Sequence, residues 1–129
     1  MDSVGGFVFG VGLVMLGVLI HYVRNQVAAG KIRRNSAIGI RTKATMSSDA
    51  AWEAGHAAAA PLLAVTFLTA YALGAITVLI GLVSALGDID DAAVLVVPLG
   101  GILVFLGLLS TAAARANAAA RATGRPSSR

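Results

Sequence analysis

The residue types that could do chemistry are concentrated in one stretch of the chain, residues 34–56. It contains the only Trp, one of the two His and two of the six acidic residues. Glu53-x-x-His56 is half of a di-iron motif, but the partner carboxylates that such a site needs are missing from the apolar segments. Ser47 and His56 could serve as nucleophile and base, yet they stand nine residues apart on one predicted helix, with no evident oxyanion hole. We therefore predict no catalytic residue, no metal site and no cofactor.

The elements that must position this stretch are predicted to be membrane-spanning helices. The 129 residues have room for one domain, and their 57% hydrophobic and 12% charged content is too apolar for a water-soluble surface. The stretches 4–23, 57–86 and 92–114 contain no Asp, Glu, Lys or Arg. Each reaches the roughly 20 residues with which a helix crosses the hydrocarbon core. We predict an all-α membrane protein with three transmembrane helices, in which the net charge of +4 faces a membrane surface rather than nucleic acid.

Basic residues alternate between the segments that flank the predicted spans. The N-terminal flank has none, the loop at residues 24–56 has six, the loop at residues 87–91 has none, and the tail at residues 115–129 has four. Short loops rich in Lys and Arg stay on the cytoplasmic side of the membrane. We therefore expect the N-terminus outside and the C-terminus in the cytoplasm.

Small residues recur along one face of each predicted span. In lipid, small faces let helix backbones approach closely, which is the usual basis of helix association there. The predicted packing positions, which include the GxxxG pair at the start, are Gly6, Gly10, Gly17, Ala70, Gly74, Gly81, Gly100 and Gly107. They could serve packing within one chain, a homo-oligomer or a partner membrane protein, and the sequence leaves the three open.

The second helix is expected to begin well before its span. Ser47 or Ser48 is a suitable N-cap, with Asp49 in the first turn facing the positive end of the helix dipole. Apart from Pro61, no strong helix breaker follows before Leu86. A continuous helix over residues 49–86 would measure about 57 Å, whereas the hydrocarbon core is about 30 Å thick. Its first turns are therefore expected to lie along the interface or to project from it.

Four side chains of those first turns share one helical face, namely Asp49, Trp52, Glu53 and His56. Trp52 is expected to anchor in the headgroup region, as aromatic residues at this depth commonly do. Arg41 can reach a carboxylate in bidentate geometry, so we expect it to pair with Asp49 or Glu53 and fold the loop back onto the helix. In the simpler alternative, the basic residues only attract anionic lipid headgroups.

One run within this region resembles a known signature. It reads Asn35-x-x-Ile-Gly-Ile-Arg-Thr and continues with Thr45, Ser47-Ser48, Trp52 and His56. This order is similar to that of the SdpI family, a group of bacterial integral membrane proteins named for immunity to a secreted peptide toxin. Members often have Pro where this chain has Lys43, and larger members carry further spans and an upstream domain. By the resemblance, the signature positions are Asn35, Gly39, Arg41, Thr42, Ser48, Trp52 and His56.

The resemblance implies a non-enzymatic, multi-pass protein of the bacterial inner membrane. It would act in toxin immunity or membrane-stress signalling, through contacts of its loop with lipid or protein. Asp49 and Glu53 join the signature positions as predicted recognition residues. The expected partners are a bilayer with anionic headgroups and, for the packing faces, a second copy or another membrane protein. The main alternative is an accessory or structural subunit of a larger membrane complex.

Overall fold

Three long helices form the chain in the computed structural model, which describes residues 2–87 and 92–124. Helix α1 runs from Ser3 to Ala28, α2 from Asp49 to Gly87 and α3 from Val96 to Thr123, with a short 3-10 turn at Ala92–Leu95 before α3. Each helix is long and apolar enough to cross a membrane. The all-α prediction with three candidate spans is confirmed, while residues 88–91 of the acidic loop and the tail beyond Gly124 lie outside the described residues.

The helix ends follow from local hydrogen bonding. The Asp2 carboxylate accepts from the Gly5 backbone N–H at 2.7 Å and begins α1. Gly30, with φ +76°, ends the helix: its N–H donates to Val27 O, and the next N–H donates to Gln26 O. This pair of bonds is a Schellman motif, which requires the left-handed conformation that glycine adopts without strain. Helix α1 therefore continues five residues beyond the apolar stretch 4–23.

The predicted start of α2 is confirmed. The Ala51 N–H donates to Ser48 Oγ at 3.0 Å, so Ser48 is the N-cap and Asp49 the first helical residue. The helix then continues without a break through Pro61 for 39 residues, or roughly 58 Å at 1.5 Å per residue. Helix α3 likewise continues past its apolar stretch and ends at Thr123, where Gly124 is the C-cap.

Helix α2 lies at the centre, and both α1 and α3 pack against it. Glycines bring α1 and α2 close together. A Cβ at Gly6 would lie 3.1 Å from Gly81 Cα, and one at Gly10 would lie 2.8 Å from Gly74 O. Further along, a Cβ at Gly17 would lie 3.2 Å from the Ala70 Cβ. The six small residues that we predicted as packing positions on these two helices therefore lie between α1 and α2 of one chain.

The face that α3 turns toward α2 differs from the predicted one. Gly100 and Gly107 are exposed, and a Cβ at either would meet no other atom within 4 Å. Gly101 is buried instead, with Leu73 Cδ1 3.0 Å from the position of its Cβ. The inward stripe of α3 continues through Phe105, Ala112, Ala116 and Ala120. Gly100 and Gly107 therefore do not pack within the chain, because the adjacent Gly101 lies on the inward stripe, and their packing against a second copy or a partner stays a prediction.

Candidate functional site

The loop after α1 folds back onto the first turns of α2, and we call residues 31–56 the loop–helix unit. Trp52 lies at its centre, with only 3% of its surface exposed. Its ring lies 4.1 Å from the His56 ring, centroid to centroid, and its Nε1 donates to the Ile32 carbonyl at 3.3 Å. The expectation that Trp52 anchors in the headgroup region is therefore wrong, because the loop covers the indole.

Gly39 makes this close packing possible for two reasons. Its φ of +126° lies in a region that residues with a Cβ rarely adopt. A Cβ at this position would also lie 2.5 Å from Trp52 Cη2 and 3.2 Å from His56 Nε2. The backbone of the loop thus lies directly on the indole edge, at a distance that only glycine permits.

His56 joins the loop to α2 through both ring nitrogens. Its Nε2 accepts the Ile40 backbone N–H at 2.9 Å, so its Nδ1 carries the proton and donates to Trp52 O, also at 2.9 Å. The residue is 5% exposed. Burial lowers the pKa of the His56 imidazole below its ordinary value of 6.5, and the hydrogen bond to Trp52 O opposes this shift. These contacts require the neutral imidazole, since a proton on Nε2 would face the Ile40 N–H.

Two threonines close the turn between Ile40 and α2. Thr45 Oγ1 donates to Ile40 O at 2.7 Å and accepts from the Thr42 N–H at 2.9 Å, and Thr42 Oγ1 accepts from the Thr45 N–H at 3.1 Å. Thr45 is fully buried, and its methyl group lies 3.0 Å from the position of a Cβ on Gly55. Thr45 and Gly55 are absent from the predicted site residues. The Thr-x-x-Thr spacing just before a helix N-cap is the signal that could have identified Thr45, because such side chains commonly bond nearby backbone.

The ion pair of the loop–helix unit uses a different arginine from the predicted one. Arg34 Nε lies 2.7 Å from Asp49 Oδ1, and the Arg34 guanidinium also donates to Met46 O at 3.3 Å. The prediction that Arg41 pairs with Asp49 or Glu53 is wrong. Ile40 is fixed by hydrogen bonds at both its N–H and its carbonyl and packs on the helix core, whereas Arg41 is exposed.

The predicted site residues thus separate into two groups. Buried or hydrogen-bonded residues hold the unit together, and these are Gly39, Thr42, Ser48, Asp49, Trp52 and His56. Asn35, Arg41 and Glu53 are instead exposed on its surface. The other exposed basic residues of the unit are Lys31, Arg33 and Lys43. The unit therefore consists of a rigid interior beneath a mainly basic surface.

The two side chains considered for nucleophilic chemistry are bonded elsewhere. The Ser47 hydroxyl donates to Ala44 O at 2.6 Å, and both His56 nitrogens are bonded to backbone atoms. Within residues 2–87 and 92–124, no three His, Asp or Glu side chains come close enough to hold a metal ion. Ser47 and His56 therefore fix the loop conformation in this arrangement.

His56 lines two cavities. A cleft of about 350 Å³ between the end of α1 and the start of α2 is lined by Arg24, Glu53 and His56 among others. A groove of about 260 Å³ lies beneath Ile38 and Ile40 and is lined almost wholly by apolar side chains of all three helices. The loop–helix unit therefore borders a cleft that contains three ionisable side chains and a groove that is almost wholly apolar.

Comparison with known proteins finds one family. The model of the SdpI/YfhL protein family matches residues 31–113, which include the loop–helix unit, the rest of α2 up to Gly87 and much of α3. Neither a search of curated proteins nor a search of solved structures finds a match.

Proposed function

Because the chain belongs to the SdpI/YfhL protein family, we propose that this multi-pass membrane protein is a toxin-immunity or membrane-stress signalling component of the bacterial inner membrane. It acts without catalysis, through contacts that its loop–helix unit makes with lipid or protein. The proposal assigns recognition to the surface of the unit and structural support to its interior.

This proposal rests on one contrast: the side chain of Arg41 is exposed, whereas the residues just before it are tightly packed and hydrogen-bonded. Gly39 and Trp52 pack tightly, Ile40 is hydrogen-bonded to His56 and Thr45, and Arg41 follows them directly with an exposed side chain. Because the backbone on one side of Arg41 is already fixed, ordering that backbone adds no further cost when the guanidinium binds an anionic group. Arg41 is therefore the residue that we assign to recognition.

In the proposed orientation the N-terminus is outside and the loop–helix unit is cytoplasmic. The six basic residues between 24 and 56 support it, because Lys and Arg in short loops remain on that side. Anionic headgroups of the cytoplasmic leaflet attract each Lys or Arg near the surface by about 1 kcal/mol. The exposed basic residues of the unit then hold it against the membrane.

A challenge experiment tests the protective role. A strain lacking the gene and a strain complemented with the wild-type gene are exposed to a panel of secreted, membrane-active bacterial peptides, and survival is counted. We expect the deletion strain to be killed at a lower dose of at least one peptide, with resistance restored by complementation. Equal survival of the two strains against every peptide would contradict the immunity role.

A second function, as a subunit of a larger membrane complex, is favoured by one observation. Gly100 and Gly107 are exposed on α3 with open space around them, so another helix could approach closely at that face. Purification in a gentle detergent followed by mass spectrometry tests this role. A partner at fixed stoichiometry, lost when Gly107 is replaced by Leu, would support the subunit function, and a monomer without partners would contradict it.

A further inference from the structure

The apolar groove beneath the loop is the feature that the proposed protective role leaves unexplained. Leu19 and Val23 of α1 form one wall, Phe105 and Leu109 of α3 form the other, and Leu63 of α2 lies between them. The groove is open to the surroundings along the apolar parts of the helices, where a lipid bilayer would be. Its occupant therefore comes from the hydrocarbon phase.

The loop forms a fixed end to this groove. Ile38 and Ile40, two apolar residues that flank Gly39 in a basic loop, both line it. Ile40 is held by hydrogen bonds to His56 and Thr45, and Gly39 is held against Trp52, so this end has a defined shape. Ile40 also packs on the helix core, whereas Ile38 is 45% exposed and is available to cover a hydrocarbon chain.

The size of the groove favours a slender occupant. Its volume of about 260 Å³ falls just below the range of about 300–1,000 Å³ that is usual for small-molecule pockets. A partner helix, with a diameter of about 10 Å, needs a wider surface. One flexible acyl chain can follow the groove along α1 and α3.

The basic residues at the loop end of the groove favour a lipid with an anionic headgroup. Arg41 follows Ile40 directly, so its Cα lies about 3.8 Å from that of a groove residue, and the side chains of Arg41 and Lys43 are exposed. We propose that the groove binds one acyl chain of an anionic phospholipid of the adjacent leaflet, with the phosphate beside Arg41. This inference goes beyond the protective role and does not depend on it.

Lipid retention tests the occupancy of the groove. The full-length protein is reconstituted in nanodiscs of equal parts phosphatidylglycerol and phosphatidylcholine, washed extensively in mild detergent, and its remaining lipids are counted by mass spectrometry. Leu19→Trp fills the groove, whereas Met15→Trp adds the same side chain to an exposed position of α1 that does not line it. We expect about one phosphatidylglycerol per chain for wild type and Met15→Trp, and loss of that lipid for Leu19→Trp.

Leu19→Ala controls for damage to the fold, because it leaves the groove open and is expected to keep the lipid. Retention by Leu19→Trp equal to that of Met15→Trp would overturn the proposal. So would loss of the lipid from both tryptophan variants, or a second polypeptide crosslinked to a photoreactive side chain at position 19.

The charge requirement has its own test. Arg41→Gln is compared with Arg121→Gln, which removes an exposed arginine from the last turn of α3. We expect Arg41→Gln to lower the preference for phosphatidylglycerol over phosphatidylcholine about fivefold, as expected for one basic residue near the surface. Arg121→Gln is expected to leave it unchanged. An equal change in both variants, or in neither, would refute the contact between Arg41 and the phosphate.

Discussion

At the scale of single residues, Gly39 and His56 make the contacts that join the loop to the start of α2. Gly39 places the backbone within contact distance of Trp52, and His56 bonds Ile40 on one side and Trp52 on the other. Both contacts depend on properties that few substitutes share: the absence of a Cβ in one case, and a neutral ring with one donor and one acceptor in the other. Small changes at these positions therefore report directly on the structure of the unit.

Replacing Gly39 by Ala is expected to destabilise the unit more than the same change at Gly30. Both residues have positive φ, but a Cβ at Gly30 meets open space, whereas one at Gly39 overlaps the Trp52 ring. Gly30→Ala is expected to cost roughly 1–2 kcal/mol from backbone strain alone. Gly39→Ala should cost more and shift the emission of the single tryptophan to the red. Thermal unfolding in detergent, followed by tryptophan fluorescence, measures the loss of stability and the emission shift. Equal losses of stability in the two variants, without a red shift, would contradict the packing of Gly39 against Trp52.

The stability of the unit is expected to fall when the pH decreases from 7 to 5. Burial lowers the pKa of folded His56, so the unfolded chain binds a proton more readily below about pH 6.5. The contribution of His56 is complete above that pH and is lost as the pH falls toward the folded pKa. Unfolding temperatures of wild type and His56→Gln across this range test the effect. A pH dependence that is unchanged in His56→Gln would show that another group causes it.

The residues that sequence reasoning misplaced at this scale share a cause. Arg34 and Arg41 both precede Asp49 and Glu53 by a short stretch of sequence. Only the path of the loop determines which arginine reaches Asp49. That path depends on Gly39 and on the two threonines, whose hydrogen bonds cannot be read from composition or charge. Trp52 was misplaced for the same reason, because its burial comes from the loop and not from its own helix.

At the scale of elements, the interface between α1 and α2 is built on backbone contact. A Cβ at Gly74 would lie 2.8 Å from Gly10 O and 2.6 Å from Val14 Cγ2. Helices that approach this closely gain van der Waals contact along their backbones, which is the main attraction available in lipid. The position of α1 relative to α2 therefore depends on the glycines.

Gly74→Ala is expected to destabilise the helix pair, with Gly107→Ala as the matched control. At position 74 the new methyl group would overlap backbone atoms of α1, and overpacking of this kind typically costs about 1–3 kcal/mol. At position 107 the methyl group meets open space, so the change should be neutral or stabilising by up to about 1 kcal/mol through helix propensity. Unfolding by titration with a denaturing detergent compares the two. Equal destabilisation would contradict the assigned interface.

The helices could be predicted from the sequence better than the faces they present. Apolar length located the three spans, and Ser47 or Ser48 was expected to begin α2 because capping is local. The face of α3 was missed because Gly100 and Gly101 are adjacent, and a small-residue pattern fits either of two stripes. Packing against Leu73 selects the stripe of Gly101, and this depends on the neighbouring helix.

At the scale of the whole molecule, the proposed orientation decides which surface each part faces. The chain contains no cysteine, so a single introduced cysteine reports its side of the membrane without background. Lys43→Cys is expected to react with a membrane-impermeant thiol reagent only in inverted vesicles, and Asp2→Cys only in intact cells whose outer barrier is opened. The opposite pattern would reverse the orientation and move the loop–helix unit out of the cytoplasm.

In the proposed function, a rigid loop–helix unit presents Arg41 for recognition. The most direct measurement is the peptide dose that kills half of the cells in strains carrying wild type, Arg41→Lys, Arg41→Gln and Arg121→Gln at equal membrane levels. We expect Arg41→Gln to lose resistance and Arg121→Gln to keep wild-type resistance. Arg41→Lys is expected to keep partial resistance, because it retains the charge without the bidentate geometry. Wild-type resistance in both Arg41 variants would contradict this role of Arg41.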